Sequence, residues 1–188
     1  MSIKGGTRAL GIAESYSNNR STLAGVITRA DRSVDGFAFS TCTVGGLDAS
    51  DAIIDIYHQL DREDIAFVFI AGVALAWYNI LDIDRLRSEI PLPIVLVTFE
   101  ESEGLESAID DAFSNDDRQS RRALLDALPP REPVTVGNDR IFIRSIGLEM
   151  DAAQSIITTY TPRGGRPEPL RVARLAARAA DSWSTRTP

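Results

Sequence analysis

Residues Ile65–Ile83, IAFVFIAGVALAWYNILDI, decide the fold. The stretch opens on an unbroken apolar run, Ile65-Ala66-Phe67-Val68-Phe69-Ile70, rich in β-branched and aromatic side chains. A strand covered on both faces has this composition, because neither side needs polar residues. Ala71-Gly72 breaks the run. Asn79 and Asp82 follow, three apart on what the pattern predicts as the first turns of a helix, where such positions share a face. A buried strand that ends in a loop and feeds a helix is where open α/β sheets gather their chemistry. Two plainer roles compete. No charge falls between Asp64 and Asp82, which suits a membrane span, but Asp61, Asp64, Asp82 and Asp84 flank it with acid on both sides and Asn79 would lie in lipid. The other is a core strand with no active site.

The 188 residues are enough for one domain with a real core, and the 44% apolar content is that of a globular chain. Charge is acidic, −7 overall. Lys4 is the only lysine, and Asp outnumbers Glu. That balance predicts a surface adapted to a salt-loaded cytoplasm. Cys42 is alone, so no internal disulfide and no Cys/His zinc cluster is expected. The start, MSIKGGTRALGI, has no apolar core of the signal-peptide kind, and a cytoplasmic protein with no membrane partner is expected.

Outward from the central strand, Arg8 to Ala13, Thr22 to Arg29 and Val34 to Thr43 read as three strands with short polar connections, Ser15 to Arg20 and Asp31-Arg32-Ser33. Short connections predict an antiparallel meander. A helix from Ala49 to Leu60 carries its apolar stripe at Ile53, Ile56, Tyr57 and Leu60, with His58 on the solvated side. After the central strand come a helix around Leu81 to Glu89, stopped by Pro91 and Pro93, and a second apolar strand, Pro93 to Phe99, parallel to the first. Glu100, Glu101, Glu103 and Glu106 cluster after it, as acidic residues do near helix N-termini. Helices around Leu105 to Phe113 and Asp117 to Leu128, a hairpin of 134–136 and 140–146, and helices over Asp151 to Thr159 and Pro169 to Ser182 complete the chain. The expectation is an α/β fold of one domain, residues 1–184, with a frayed tail at 185–188. Its ribonuclease H-like mixed sheet has strands one to three antiparallel, strands four and five parallel, flanking helices, and a C-terminal hairpin and helices.

Particular residues then bring a family into view. Thr159 to Ala173, TYTPRGGRPEPLRVA, resembles the TTRGRIPEPLRVA signature of the archaeal endonuclease dU family, which is related to endonuclease V and shares the ribonuclease H-like fold. Gly11-Ile12, Asp48-Ala49-Ser50, and Asn79 with Asp82 match further family positions, so the resemblance runs along nearly the whole chain. It implies a DNA-repair endonuclease that nicks DNA at deaminated bases, with magnesium or manganese as cofactor in an active member and no metal in a degenerate one. The departures are specific. The family's GIDD, DGTDAT and LDG stand here as Gly11-Ile12-Ala13-Glu14, Gly45-Gly46-Leu47-Asp48-Ala49-Ser50 and Ile70-Ala71-Gly72. Three aspartate positions are therefore Ala13, Gly45 and Ala71. In ribonuclease H-like nucleases, carboxylates on strands one and four hold the metals, and alanine offers magnesium no oxygen. The metal ligands of this chain are accordingly unknown.

The surviving catalytic candidates are Glu14, Asp48, Asp82 and Glu168, and each has a structural role open to it. Glu14 neighbours a lost position but on the opposite strand face unless the strand ends or bulges there. Asp48 is placed to cap the helix at Ala49, and Asp82 and Glu168 to complement helix dipoles. Trp77 and Tyr78, beside Asn79, either stack on extruded bases or pack a helix on the sheet. Arg163, Arg166 and Arg171 are the one concentrated basic patch, open to phosphate contact or to surface ion pairs. Two functions remain: a metal-dependent endonuclease acting on DNA, and a degenerate module that binds nucleic acid, a protein partner or a second copy of itself.

Overall fold

The computed structural model describes residues 3–101, 104–162 and 164–185. Three strands, β1 (Arg8–Ser17), β2 (Arg20–Arg29) and β3 (Val34–Thr43), form the expected antiparallel meander. Helix α1 (Ala49–Leu60) carries the chain to β4 (Ile65–Ala71). A two-residue hairpin, β5 (Ala74–Leu75) with β6 (Asn79–Ile80), precedes α2 (Ile83–Glu89) and β7 (Ile94–Thr98). Then come α3 (Glu106–Ala112), α4 (Asn115–Asp126), the hairpin β8 (Glu132–Val136) with β9 (Asp139–Ile146), α5 (Met150–Tyr160) and α6 (Glu168–Ser184). The main sheet has seven strands in the order β3-β2-β1-β4-β7-β9-β8.

The central strand has the neighbours its composition requires. β4 pairs in parallel with β1 on one side and β7 on the other. Its side chains alternate between two cores. Val68 and Ile70 join Leu10, Ile12, Ile53 and Ile56 beneath α1, and Phe67 and Phe69 join Val95, Ile156, Tyr160 and Leu170 beneath α5 and α6. Each fully buried side chain of this size contributes about 1.5–3 kcal/mol relative to exposure. An alternating polar pattern at β4 would leave one of these helix layers without a floor. Among the described residues no helix is long and apolar enough to cross a membrane.

Three expectations need correction. Strand one does not stop at Ala13. Ser15, Tyr16 and Ser17 pair with Thr22, Ser21 and Arg20, and the polar turn shrinks to Asn18-Asn19, with Asn18 at φ 57°. An Asn in the left-handed region suits a two-residue hairpin loop. Second, Asn79 and Asp82 do not share the first turns of one helix. Asn79 lies in β6 and Asp82 is the N-cap of α2, because the chain first doubles back through Ala76, Trp77 and Tyr78 at φ 42°, 60° and 59°. Third, α4 begins two residues before Asp117. Of the tail, 186–188 lie outside the described residues.

Gly11 fixes how α6 meets the sheet. A Cβ there would lie 2.4 Å from both the carbonyl carbon and oxygen of Pro169. Only glycine lets β1 and the first turn of α6 approach this closely.

Candidate functional site

The C-terminal ends of β1, β4 and β7 open on a cavity of about 800 Å³. Ala13 and Ala71 stand at its floor. Ile12 is in register with Ile70, so the next residues on the two neighbouring strands, Ala13 and Ala71, are abreast. Both face α6, where Ala13 packs with Val26 and Ala173 and is 2% exposed, and Ala71 borders the same cluster. Two methyl groups thus meet at the ends of strands one and four, but Asp82 and Glu168, expected from sequence to line the same cavity with Asn79 close by, do not border it. Divalent magnesium or manganese needs oxygen ligands in near-octahedral array, and the floor supplies none from these two positions. Among the described residues no group of three His, Cys, Asp or Glu side chains is placed to hold a metal ion. The residues present do not fit the metal centre that the resemblance implies.

Glu14 does not rebuild it. β1 continues past this residue, so Glu14 points to the face opposite Ala13. It borders the cavity from there, and its two oxygens are engaged: Oε1 accepts from the Ala76 N–H at 2.7 Å and Oε2 from the Ser21 hydroxyl. The carboxylate ties the β5–β6 turn to the first hairpin.

Asp48 and Asn79 form a separate cluster at the start of α1. Asp48 accepts from the Thr43 N–H at 3.0 Å, the Thr43 hydroxyl at 2.8 Å and Asn79 Nδ2 at 2.7 Å. Asp48 occupies the N-cap position of α1 but makes no side-chain cap bond. The buried Asn79 accepts the Ala49 N–H at 3.0 Å and so does the capping. Burial works to raise the Asp48 pKa, yet the bonds from Asn79 and Thr43 outweigh it and hold the carboxyl below its ordinary value. Asp82 caps α2, accepting from the Arg85 N–H at 3.0 Å. Glu168 opens α6 with its oxygens on Arg171 at 2.6 and 2.8 Å. Asp48, Asp82 and Glu168 do not border the cavity floored by Ala13 and Ala71, and neither do Asn79 and Arg171. Arg163 lies outside the described residues.

Trp77 and Tyr78 occupy the tip of the β5–β6 turn. Trp77 is 50% exposed, and both rings meet Phe113, with centroids 5.2 and 6.0 Å away. Three successive non-glycine residues in the left-handed region cost of order 1 kcal/mol or more each. Arg121 holds them. It is 2% exposed, donates to the carbonyls of Tyr78, Asp117, Gly45 and Gly46, and lies 3.8 Å over the Phe113 ring. Gly45 completes the fit: at φ 72°, a Cβ on it would fall 2.8 Å from Trp77 Cε3. The glycine that stands at an aspartate position of the resembled family is therefore packed under this tryptophan. Cys42 is buried, and burial above all, then Asp48 and Glu14, pushes its thiol up to about 12, so it is no nucleophile.

The cavity's walls are rich in arginines that sequence reasoning missed. Arg166, which it named, has its guanidinium carbon 3.8 Å over the Phe99 ring centre. Arg131, Arg144, Arg174 and Arg178 join it around the opening. The signal for two of them was present in RVARLAAR, where Arg174 and Arg178 sit one turn apart on α6. Arg144 arrives on β9 and Arg131 from just before β8, far from α6 in sequence.

The model of the family described as Endonuclease dU matches residues 5–181. The chain belongs to the endonuclease dU family. A UPF0215 protein of Pyrobaculum calidifontis is 32% identical over 94% of this chain and 98% of its own length. A crystal structure of a protein of unknown function from Archaeoglobus fulgidus superposes with a TM-score of 0.81 at 27% identity, over 92% of this chain and 97% of that one. Endonuclease V of Streptomyces avermitilis superposes with a TM-score of 0.63 at 17% identity, over 98% and 85% of the two chains. Endonuclease V of Ciona intestinalis, solved in complex with DNA containing an inosine, gives 0.61 at 11% identity, over 95% and 86%. The endonuclease dU chain thus has the ribonuclease H-like, endonuclease V-like fold expected from its element order.

Proposed function

We propose that this chain is a non-cleaving member of the endonuclease dU family, one that binds nucleic acid at the mouth of the sheet and recognises deaminated DNA without cutting it. One observation carries this reading: Ala13 and Ala71 lie abreast beneath α6 where the resemblance puts carboxylates. Phosphodiester cleavage of the two-metal kind needs ions to activate water and stabilise the leaving oxygen, and two methyl groups bind neither ion. Binding has separate support. The cavity has an arginine-rich wall, and Trp77 offers a rigid, half-exposed ring on a clamped turn. Aromatic faces stack on bases with little regard to sequence, and endonuclease V of Ciona intestinalis is itself seen holding inosine-containing DNA. The net charge of −7 opposes binding at long range, but high salt shortens its reach to about 3 Å at 1 M.

The test is a nicking assay with magnesium and with manganese on uracil- and hypoxanthine-containing duplexes, run beside gel-shift binding. Retention without nicking is expected. Efficient nicking by the unaltered chain would overturn the reading.

A further inference from the structure

Five arginines, Arg131, Arg144, Arg166, Arg174 and Arg178, gather around this one cavity. Several arginines elsewhere are matched to acid: Arg8 and Arg29 share Asp35, Arg62 holds Asp64, Arg85 holds Asp51, and Arg171 holds Glu168. With 27 Asp and Glu against 20 Lys and Arg, carboxylates are plentiful. Yet Arg174 and Arg178, exposed and one turn apart on α6, have no ion-pair partner among the described residues. Like charges at this spacing destabilise a helix. Arg166 stands close enough to Arg174 to feel its charge: burial first, then Arg174, lowers its pKa. Burial first, and next Arg131, lowers that of Arg144 on the facing wall. Arg166, Arg174 and Arg178 thus bring three cations together at one side of the cavity, and Glu100 offsets only part of the repulsion at Arg166.

The other features narrow what these cations can bind. Glu100, Glu106 and Asp126 also border the cavity, with Glu100 near Arg166 and Glu106 near Arg144, and Glu14 is engaged as described. The ligand therefore meets anion-binding guanidinium groups and hydrogen-bond acceptors in the same cavity. The Arg166 guanidinium sits 3.8 Å over the Phe99 ring, and Tyr16 stands 55% exposed at the rim. Guanidinium planes and aromatic rings are what unpaired bases stack on. The volume, about 800 Å³, is in the range that encloses a small ligand rather than a duplex.

We propose that Arg166, Arg174 and Arg178 form a metal-independent phosphate site that takes the phosphodiester of an unpaired nucleotide at the mouth of the sheet. The proposal rests on the nucleic-acid-binding reading above and adds the site, its cations and its independence of divalent ions. Guanidinium groups bind phosphate bidentately without any metal, so they take over the holding of the strand that ions at Ala13 and Ala71 would provide.

The test measures fluorescence anisotropy of a short labelled single-stranded oligonucleotide in EDTA. It compares the unaltered chain, Arg174→Gln/Arg178→Gln, and a control with the same charge loss away from the cavity, Arg87→Gln/Arg118→Gln. All four side chains are exposed, and thermal melts confirm that each variant folds. The unaltered chain should bind in EDTA. The cavity variant should bind about tenfold more weakly at moderate salt, with the slope of log affinity against log salt shallower by about 1.4, or ~0.7 per lost phosphate contact. The control should stay within about twofold of the unaltered chain. Binding that disappears in EDTA, or that survives in the cavity variant as in the control, overturns the phosphate site and leaves the nucleic-acid-binding reading standing. An unaltered chain that binds no oligonucleotide, single- or double-stranded, overturns both.

Discussion

Arg121→Ala should detach the aromatic turn from the body of the protein. The side chain is 2% exposed and donates to four carbonyls, those of Tyr78 at 3.1 Å, Asp117 at 3.0 Å, Gly46 at 3.2 Å, and Gly45. The Tyr78 and Gly45 carbonyls matter most, because they belong to segments with positive φ that do not hold themselves. Each carbonyl left without a donor costs about 1–3 kcal/mol, and loss of the contact over Phe113 adds about 0.5–2 kcal/mol. Against this, burial lowers the Arg121 pKa, a sign that the cation itself is held at a cost. Water entering the vacated space also re-solvates some carbonyls. The balance is a loss of about 3 kcal/mol. Urea unfolding followed by far-UV circular dichroism measures it, and tryptophan emission reports whether Trp77 leaves its contact with Phe113. Arg121→Lys should recover little, since an ammonium group cannot span four acceptors as a planar fork does. A loss below about 1 kcal/mol with unchanged emission would refute the clamp, because intact carbonyl bonding cannot be removed that cheaply.

Gly11→Ala should destabilise by about 3 kcal/mol or more, beyond ordinary overpacking, because the methyl meets the Pro169 backbone at 2.4 Å and not a flexible side chain; a variant melting within a degree or two of the parent would contradict this. The Asp48 carboxyl is held below its ordinary value, so its contribution is fully present above the unfolded value of about 3.9 and is lost as pH falls through the lower folded value. Asp48→Asn should be less stable than the parent near neutrality and should lose less stability on acidification, measured as urea midpoints across pH; parallel acid limbs would count against it. Potassium chloride from low to multimolar concentration should raise the melting temperature, because an acidic chain with one lysine repels itself when unscreened; a flat response would sink that idea.

The parts legible in sequence were those governed by local pattern. β4 could be read because both its faces are apolar, and α1 because Ile53 and Ile56 recur with the helical period and sink into one core. The pairing of Ala13 with Ala71 followed from placing both at the ends of adjacent parallel strands. The β5–β6 turn was hidden. Its positive φ values fall on Ala76, Trp77 and Tyr78, residues that carry no turn signature, and the conformation depends on Arg121, more than forty residues away. Asn79 and Asp82 looked like one helix face for the same reason. The arginine wall was hidden because packing, not spacing, assembles it: β9 brings Arg144 to the mouth and α6 brings Arg174 and Arg178. Sequence proximity instead grouped Arg166 with Arg171, which the fold separates by pairing the latter with Glu168.

Manganese calorimetry on the unaltered chain and on Ala13→Asp/Ala71→Asp tests the loss of the metal centre most directly. The unaltered chain should give no saturable heat. The double substitution should bind manganese, and its gain should exceed the sum of the two single substitutions, because both carboxylates would act through one ion. Tight, stoichiometric binding by the unaltered chain would mean that other groups supply the ligands, and the non-cleaving assignment would be wrong.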